Sequence, residues 1–501
     1  MQAEEPHLAV IDIGSNSLRL VVYDRLSRAP FPRFNEKSFC GLARDLEETG
    51  LLPEDAVRQA LAAVRRFVTI ASAMGVGQID ILATEAVRRA ANGGRFLAEI
   101  EAVTGIVPHL LSGLEEARFA AMGVLAGLWR PHGLVGDMGG GSLEVAAISS
   151  DGAQGEVEEN RMSLPLGGLP VDTLMRRSVS AAKAHVDALL EAHLPAAPDR
   201  YPTFYMVGGG WRALARVHMT ETGAPVRVAH GYTAPASSMR KLARRIWQMK
   251  PGELVELPGA PPRRLAMLPA AALVLDRVLG RLASERVVVS ALGLREGWLY
   301  GRLDEAERRR DPLLEGARAV GAARSRVPAF AAALERWTDD LFAGETMADK
   351  RLRQAACALS DIAWTDHVDA QAQQSFRRLL QFPFIGLDHA ERVWLAAAVH
   401  ARYGGKRNDA AMRPAIDLLD KPRRRRALIL GRAMLLAYRF SGSVPTILDA
   451  SRLVARKDRL RLEVGAVEIV PDSDAVRARL ERLAKALDSR DSEIVTTDRT
   501  P

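Results

Sequence analysis

A short pattern, V-x-D-x-G-x-x-S-L, occurs twice in this chain, at residues 10–18 and again at residues 135–143. Apolar residues follow both copies, at 20–22 and at 145–147. A strand, a tight glycine turn and a second strand are the structure that such a pattern predicts. Because both copies keep the same offsets, we interpret them as equivalent turns of two similar α/β lobes rather than as two unrelated hairpins.

The residue types in both turns suit a phosphate group. Glycine lets the backbone bend sharply and bring its N–H groups against an anion, and serine and asparagine side chains add donors. The candidate phosphate-binding residues of the two turns are Ser15, Asn16, Ser17, Gly139, Gly140, Gly141 and Ser142. Asp12 and Asp137 stand at the strand ends, where a carboxylate suits Mg²⁺ binding or the orientation of a water molecule. The turns therefore predict a phosphate clamp between two lobes.

A third glycine loop, Gly208, Gly209 and Gly210, follows an apolar strand pattern and precedes a helical pattern. Backbone N–H groups at the start of a helix form a good anion site, so these glycines are further candidate phosphate ligands. Triple glycine before a helix is also a common structural turn, and the loop by itself does not distinguish the two interpretations.

Length and composition limit the class of protein. The chain has 501 residues, about the length of three domains, and 48% of them are hydrophobic, which excludes a disordered or fibrous chain. Cys40 and Cys357 are its two cysteines, too few for a disulfide framework or a zinc site, so we expect a cytoplasmic protein. We expect neither a signal peptide nor a membrane span. The net charge of +8 favours an anionic partner.

Five motifs follow one another along the chain. They are D-I-G-S-N-S at 12–17, A-T-E-A-V-R at 83–88, S-G-L-E-E-A-R at 112–118, D-M-G-G-G-S-L-E at 137–144 and G-L-R-E-G at 293–297. In this order they resemble the exopolyphosphatase / guanosine pentaphosphate phosphohydrolase (Ppx/GppA) family. The resemblance rests on motifs over residues 8–303 and on general layout beyond them.

The resemblance implies a fold and a domain organisation. It implies an α/β protein with two duplicated ribonuclease-H-like (actin-like) lobes, at 1–130 and 131–303. An all-helical, HD-like C-terminal region follows at 312–501, and its segment at about 456–490 is predicted to be a small α+β tail. Ser360 and Asp361 stand where an HD-type hydrolase has His-Asp, and His367 and His400 complete no metal set. We therefore expect no second hydrolase centre in this region.

The resemblance also implies an activity. It implies an exopolyphosphatase, a hydrolase that removes the terminal phosphate of inorganic polyphosphate processively, depends on Mg²⁺ (or Mn²⁺) and releases orthophosphate. Homodimerisation is implied in the same way. Three other functions stay open: a guanosine pentaphosphate 5′-phosphohydrolase, a kinase-like or non-catalytic actin-fold ATP binder, and a nucleic-acid binder, which the lack of aromatic residues in the arginine run makes less suitable.

Carried over residue by residue, the resemblance assigns roles in the site. Glu116, the second glutamate of its motif, corresponds to the catalytic base. Asp137 and Glu144 correspond to acidic residues near the metal and the water, and Asp12 is a further metal candidate. Arg88 corresponds to an arginine that reaches the bound phosphates, a contact that suits its planar guanidinium.

The chain departs from the family pattern at two places. Trp211 stands where the family usually has Thr or Ser after the third glycine loop, and we expect its indole to crowd a nucleotide. Ala266 and Ala271 replace an Asp and a Gly of a further family stretch, in which Arg264 is retained as a candidate phosphate contact.

Residues 401–440 carry a net charge of +8, which equals the excess of the whole chain. A solvated basic surface would explain this composition, and so would a track for a long polyanion. A small nucleotide needs no such track, so the run favours polyphosphate. The predicted track residues are Lys421, Arg423, Arg424, Arg425 and Arg426, together with Arg264.

Overall fold

A computed structural model describes residues 7–151, 154–194, 201–406, 408–410, 412–456, 458–465 and 473–497. The chain divides into two compact units, residues 1–312 and 313–501. The first unit is α/β and contains two mixed sheets, whereas the second is mainly helical and contains one small sheet.

The first sheet has the spatial order β3-β2-β1-β4-β5. Its strands are β1 His7–Ile13, β2 Ser17–Tyr23, β3 Pro32–Phe39, β4 Val76–Ala83 and β5 His109–Leu110. The first three strands pair antiparallel, and β4 and β5 continue the sheet parallel to β1. The first repeated turn joins β1 to β2.

The second sheet has the order β8-β7-β6-β9-β11-β10. Its strands are β6 Gly133–Met138, β7 Leu143–Asp151, β8 Gln154–Leu164, β9 Thr203–Val207, β10 Thr233–Pro235 and β11 Arg286–Val289. Strands β6 to β8 pair antiparallel, β9 and β11 run parallel to β6, and β10 is an antiparallel edge. Five of its strands, in the order β8-β7-β6-β9-β11, repeat the order and directions of β3-β2-β1-β4-β5 in the first sheet.

Helices cover both sheets of the first unit. They are α1 Leu46–Thr49, α2 Glu54–Ala73, α3 Glu85–Arg89, α4 Gly93–Thr104, α5 Gly113–Gly127, α6 Gly168–Arg177, α7 Val179–His193, α8 Gly209–Glu221, α9 Ala236–Gln248, α10 Pro251–Val255, α11 Leu268–Leu282, α12 Leu294–Arg302 and α13 Glu305–Arg309, with a 3₁₀ helix at Pro262–Met267. A large apolar core lies on one face of each sheet, and a smaller apolar cluster lies on the opposite face of each. Each sheet therefore carries its repeated turn on its own packed core.

The backbones of helices α5 and α12 approach each other closely at two glycines, beside the packed rings of Phe119 and Trp298. A Cβ built on Gly297 of α12 would overlap the carbonyl oxygen of Phe119, and one on Gly123 of α5 would overlap the backbone of Gly293. Glycine is therefore required on both helices for this close approach. The contact joins the helix that carries Glu116 to the helix that begins with the G-L-R-E-G motif.

We expect Gly297→Ala to lower the free energy of unfolding by about 1–3 kcal/mol, because the new methyl meets backbone that cannot turn aside. Gly94→Ala is the matched control, since a Cβ at this helical position meets nothing within 4 Å and should be neutral or slightly stabilising. Urea-induced unfolding of the two variants measures the difference. Equal stability of both variants would show that the two helices can move apart to admit the methyl group without lowering the free energy of unfolding.

The second unit is built from helices and a three-stranded sheet of order β12-β13-β14. Its elements are α14 Pro312–Arg324, α15 Phe330–Thr338, α16 Met347–Ala358, α17 Gln371–Gln381, α18 His389–Arg402, α19 Arg413–Ile416, α20 Lys421–Ser441, α21 Pro445–Asp449, β12 Ser451–Arg456, β13 Arg459–Val464, α22 Asp474–Ala486 and β14 Asp491–Thr496, with a 3₁₀ helix at Asp339–Phe342.

The sheet of the second unit extends past the predicted tail at both ends. Strand β12 begins before residue 456, and β14 lies after residue 490 and pairs parallel with β13. Residues 457 and 466–472 of that tail lie outside the described residues.

No helix within the described ranges combines the length and the apolar character that crossing a bilayer requires.

Candidate active site

The two repeated turns are closed by the same hydrogen bond. Gly14 donates its N–H to the carbonyl oxygen of Ser17 at 3.2 Å, and Gly139 donates to the carbonyl oxygen of Ser142 at 3.0 Å. These four residues occupy equivalent positions of the two sequence copies. The glycine and the serine of the pattern therefore serve the same structural purpose in both sheets.

The turns meet at one cleft in the first unit. A Cβ built on Gly140 would lie only 3.0 Å from the Cβ of Ser15, so the second turn rests against the first. Of the site residues predicted within 1–312, all but Arg88 are among the described residues of the cleft wall. They are Asp12, Ser15, Asn16, Ser17, Glu116, Asp137, Gly139, Gly140, Gly141, Ser142, Glu144, Gly208, Gly209, Gly210 and Arg264. Their roles in a reaction stay predictions.

The third glycine loop brings the start of α8 to the cleft. Gly208 has a φ of +99°, and a Cβ there would overlap the carbonyl oxygen of Met138, so glycine is required for both reasons. The Arg264 guanidinium packs on the loop, because a Cβ on Gly209 would lie 2.5 Å from its Nη2. The cleft thus receives a helix N-terminus and an arginine on the same side.

Trp211 does not crowd the cleft, so the expectation that its indole would crowd a nucleotide is wrong. Its side chain is fully buried, its Nε1 donates to the carbonyl oxygen of Ala271 at 3.0 Å, and its ring packs edge-on against Phe204. Gly136 leaves room for the indole, since a Cβ there would lie 2.9 Å from the ring. The indole belongs to the core of the second sheet, and it is not among the described residues of the cleft wall.

The two glutamates of α5 have different surroundings. Glu115 caps the helix: its carboxylate accepts the backbone N–H of Ser112 at 2.8 Å, and its own N–H donates to the Ser112 hydroxyl. The Ser112 hydroxyl also donates to the carboxylate, at 2.7 Å, and the bonds from the N–H and the hydroxyl of Ser112 lower the pKa of Glu115. Glu116, one residue on, is 6% exposed and lines the cleft. The capping box therefore fixes the helix start and turns Glu116 inward.

Glu116 lies in a buried ion pair. The Nη1 of Arg88 donates to its Oε1 at 2.6 Å. Burial nevertheless raises the pKa of Glu116 to about 7, with further increases from the nearby carboxylates of Asp12 and Glu85. A carboxylate with a pKa near neutrality suits a group that accepts a proton from water.

Arg88 is placed differently from the prediction. Besides Glu116, its guanidinium bonds the carbonyl oxygen of Leu111, and the residue is not among the described residues of the cleft wall. In this structure Arg88 positions the carboxylate of Glu116. A direct contact between Arg88 and phosphate stays a prediction.

Asp137 and Glu144 face the cleft from adjacent strands. They stand opposite each other in the β6–β7 ladder, and the Ser163 hydroxyl of β8 donates to Glu144 Oε1 at 3.0 Å. Burial raises the pKa of Asp137 to about 6. Burial and the carboxylate of Glu116 raise the pKa of Glu144 well above its usual range. This register turns Glu144 inward, where it is 4% exposed.

Asp12 is held by an arginine from α12. Arg295 Nη1 lies 2.9 Å from Asp12 Oδ2, whereas the distance from Arg295 to Glu296 is 3.8 Å. Glu296 accepts the Tyr23 hydroxyl at 2.7 Å and the N–H of Gly293 at 3.1 Å. The G-L-R-E-G motif therefore fixes the first strand and positions Asp12.

The carboxylates of the cleft are groups of the kind that bind a divalent cation when other oxygen ligands complete its coordination. Within the described part of the chain, no three Asp, Glu, His or Cys side chains converge closely enough to bind a metal ion by themselves. Mg²⁺ commonly uses one or two carboxylates together with water and substrate phosphates. The charge of Asp12 raises the pKa of Asp137, and a bound cation would offset that repulsion. Asp12, Asp137 and Glu144 thus supply suitable oxygen donors.

The cleft contains basic residues that the sequence analysis missed. Arg19 of β2, Lys37 of β3 and Arg212 of α8 line it. Burial and neighbouring cations lower the pKa of Lys37 to about 8 and that of Arg212 to about 10. The sequence does contain a pattern that could have identified Arg19, because Arg19 directly follows the first copy of the repeat just as Glu144 follows the second. Lys37 and Arg212 belong to no repeated motif.

Glu85 is a further missed residue, and it lies between the two turns. Its carboxylate accepts from Arg89 Nη1 at 2.7 Å and from the Ser15 hydroxyl at 3.4 Å. A Cβ on Gly141 would overlap this carboxylate. Glycine at position 141 therefore makes room for Glu85 as well as forming the turn.

The predicted basic track of the second unit lies at the start of α20. Lys421, Arg424 and Arg425 line a cavity of about 370 Å³ with largely apolar walls. Arg424 pairs with Asp417 at 2.9 Å, and Arg425 pairs with Asp488 at 2.6 Å. Part of the positive charge in this run is therefore balanced locally.

The remaining track residues differ in exposure. Arg423 is exposed, whereas Arg426 pairs with the buried carboxylate of Glu345, which also accepts from Arg353 at 2.7 Å. Arg426 therefore has a structural partner inside the unit. The track itself stays a prediction.

Asp361, at the HD-like position, bonds two arginines. Arg326 and Arg402 donate to its carboxylate at 2.9 and 3.2 Å. The Arg402 guanidinium lies 3.7 Å from the ring centroid of Tyr438 and 4.1 Å from that of Tyr403. This carboxylate serves the packing of the helices.

Comparison with protein families matches both units. The model of the Ppx/GppA phosphatase family matches residues 21–306, and the model described as exopolyphosphatase, C-terminal, matches residues 313–495.

Comparison with individual proteins agrees with the family models. Exopolyphosphatase 1 of Mycobacterium leprae is 29% identical over 312 residues, which are 59% of this chain and 89% of that protein. Retrograde regulation protein 2 of Saccharomyces cerevisiae is 24% identical over 430 residues, 79% of this chain and 72% of that protein. A crystal structure of the Aquifex aeolicus family member covers 59% of this chain and 97% of its own, with a TM-score of 0.51 and 24% identity. That likeness shows a shared fold.

Proposed function

The chain belongs to the Ppx/GppA phosphatase family, and we propose that it is an exopolyphosphatase that processively removes the terminal phosphate of inorganic polyphosphate and releases orthophosphate. The observation that supports the proposal most directly is a single cleft in which two glycine turns and a helix N-terminus meet Glu116, Asp137 and Glu144. Backbone N–H groups suit the phosphate, and carboxylates suit the water and a cation.

In the proposed reaction, Glu116 orients a water molecule and accepts its proton as the water oxygen attacks the terminal phosphorus. The bond from that phosphorus to the bridging oxygen breaks, and the electron pair stays on the shortened polyphosphate. Phosphoryl transfer requires mainly positioning and charge stabilisation. Arg88 holds Glu116 at 2.6 Å, so the base needs little reorganisation.

We also propose a divalent cation, Mg²⁺ or Mn²⁺, as cofactor. Asp137, Glu144 and Asp12 are the residues that would hold it. When bound, the cation would neutralise charge on the phosphate oxygens. Because Arg295 already pairs with one oxygen of Asp12, we propose that Asp137 contributes more than Asp12 to binding the cation.

Polyphosphate is preferred over guanosine pentaphosphate in this proposal because of the basic run at 401–440. Lys421, Arg423 and Arg425 are the exposed members of the predicted track, although Arg425 also pairs with Asp488. Such binding should weaken steeply with salt, since a polyanion releases counterions when it binds. The M. leprae relative is named an exopolyphosphatase, which agrees with this choice.

The remaining features of the proposal follow the family resemblance. We propose that the two sheets derive from duplicated ribonuclease-H-like lobes, which their shared strand order supports. We also propose the domain limits 1–130, 131–303 and 312–501, an HD-like origin of the helical unit, a homodimer and a cytoplasmic location.

We expect purified protein with Mg²⁺ to release orthophosphate from long-chain polyphosphate at least about tenfold faster than from guanosine pentaphosphate, because only a long polyanion can use the basic run. Phosphate release from both substrates at equal concentration, in one buffer and at two salt concentrations, measures this. Faster turnover of guanosine pentaphosphate would instead identify a nucleotide phosphohydrolase, and transfer of phosphate from ATP to an acceptor would identify a kinase.

A further inference from the structure

The second unit contains a cavity of about 370 Å³ that the proposed reaction does not use. It lies between α18, α19 and the first turns of α20. A concave, mostly apolar space of this size is typical of small-molecule sites in proteins. Six of the residues that line it have aliphatic side chains, namely Ala397, Ala401, Met412, Ile416, Ala427 and Leu428.

His400 contributes the one buried polar side chain among the described residues of this wall. Its Nε2 lies 2.9 Å from Asp409 Oδ2, and its ring packs edge-on against Phe376. A Cβ built on Gly405 would overlap the ring, so glycine lets the chain close over the imidazole. The histidine thus has a partner inside the unit, and the wall offers a ligand few hydrogen-bonding groups in its interior.

Three cations of α20 line the same cavity, Lys421, Arg424 and Arg425. Lys421 is exposed, and within the described part of the second unit its ammonium has no ion pair. The aspartates that pair with Arg424 and Arg425 are 79% and 77% exposed, so water weakens both pairs. Because the aliphatic side chains are mostly buried, whereas Lys421 and Arg425 are exposed, the positive charge lies at the opening of the cavity.

The composition of the wall distinguishes between possible ligands. A polyphosphate chain carries charge on every unit, and burying such charges against aliphatic side chains is strongly unfavourable. A nucleotide base would need a ring to stack on or free hydrogen-bonding groups. The described lining residues include no Phe, Tyr or Trp, and Asp409 already pairs with Nε2 of His400. An aliphatic chain with one anionic group matches both the apolar interior and the cationic opening.

We propose that this cavity binds a free aliphatic carboxylate, a medium-chain fatty acid. Its hydrocarbon chain lies among the aliphatic side chains, and its carboxylate lies at the opening, where Lys421 and Arg424 supply positive charge. At about 30 Å³ for each water-sized group, the cavity has room for about ten to twelve methylene-sized groups. The inference does not rest on the proposed function, because the described walls of this cavity and of the cleft in the first unit share no residue.

Calorimetry on the full chain with decanoate, octanoate and decanol tests the site. We expect one decanoate to bind per chain, and octanoate to bind about tenfold more weakly, because two fewer methylene groups are buried. Lys421→Met should weaken decanoate binding about tenfold, whereas the affinity for decanol, which has the chain but no charge, should change less than about twofold. Lys421→Arg should keep decanoate binding. Lys350→Met, at an exposed lysine of α16, is the matched control and should change none of these affinities.

Leu428→Trp is a second test, because Leu428 lines the cavity and is half-buried, so a larger ring can extend into the space. A Leu428→Trp protein that is folded by circular dichroism should no longer bind decanoate. Four results would overturn the proposal. They are no decanoate binding, equal affinity for decanoate and octanoate, equal weakening of decanoate and decanol by Lys421→Met, and decanoate binding that persists in folded Leu428→Trp.

Vesicles of phosphatidylglycerol distinguish a free fatty acid from a membrane surface as the source of the aliphatic chain. We expect the protein to stay in the supernatant when the vesicles are sedimented. Sedimentation with the vesicles that Lys421→Met abolishes would overturn the proposal, because it would assign the cationic opening to a lipid membrane.

Discussion

Replacing Glu116 by glutamine is expected to lower kcat for phosphate release from polyphosphate by about 1000-fold, within the range typical of a lost general base. Glutamine keeps the shape of the side chain and can still accept from Arg88, but it cannot take a proton from water. Polyphosphate affinity, measured by calorimetry, should stay near that of the unchanged protein. Steady-state phosphate release under saturating substrate measures the effect on kcat.

Glu115→Gln is the matched control, because it changes the neighbouring glutamate of the same helix. Glu115 caps α5 through Ser112, is exposed, and is not among the described residues of the cleft wall. We expect activity close to that of the unchanged protein and a loss of at most about 0.3–1 kcal/mol in the free energy of unfolding, because glutamine keeps the capping hydrogen bond and loses only the charge near the helix N-terminus. If Glu116→Gln keeps more than about a tenth of the original kcat, a different group accepts the proton.

A chelator is expected to abolish phosphate release, and Asp137→Asn is expected to raise the Mg²⁺ concentration for half-maximal activity by about 100-fold. The carboxylate of Asp137 lies between Gly208 and Gly293, where a Cβ on either would approach its oxygens to 3.1 and 3.3 Å. Asparagine fits the same space but carries no charge for the cation. Titration of each protein with Mg²⁺ after metal depletion measures the requirement.

Asp187→Asn controls for the loss of a carboxylate elsewhere in the same unit. Asp187 pairs with Lys183 and Arg277 and is not among the described residues of the cleft wall. Its variant should need the same Mg²⁺ concentration as the unchanged protein. A normal Mg²⁺ requirement in Asp137→Asn would show that the cation is bound by other residues.

The parts of the site that the sequence predicts are those fixed by local chain geometry. The two turns follow from the spacing of glycine, serine and apolar residues within nine positions, and the same hydrogen bond closes both. Glu116 is assigned through the family resemblance, and the structure shows that a local capping box of Ser112 and Glu115 fixes the start of its helix. In each case the determining partners lie within a few residues of one another.

The parts that escape prediction depend on partners far along the chain. Lys37 reaches the cleft only because β3 pairs with β2 in a register that places it opposite Arg19. The resemblance supplied the identity of Arg88 but could not show that its guanidinium engages Glu116, 28 positions away. The orientation of the Trp211 side chain likewise depends on the space beside Gly136, which lies on strand β6.

The sheet of the second unit shows the same limit. Strand β14 reads D-S-E-I-V-T, without alternation of polar and apolar residues, and it pairs parallel with β13 across the intervening helix α22. Two strands that pair parallel across a helix are not joined by a short turn, so no local sequence pattern marks the pairing. The antiparallel strands β12 and β13, in contrast, are neighbours along the chain and are joined directly.

The glycine contact between α5 and α12 has a consequence for motion within the first unit. The backbones of the two helices touch at Gly123 and Gly297, and the rings of Phe119 and Trp298 pack edge-on beside that contact, so little room is left for one helix to slide along the other. Glu116 lies on one of these helices and Arg295, with Asp12, on the other. Because this close contact ties the two helices together, a change in the width of the cleft that moved one helix would also have to move the other, and with it the residue that holds Asp12.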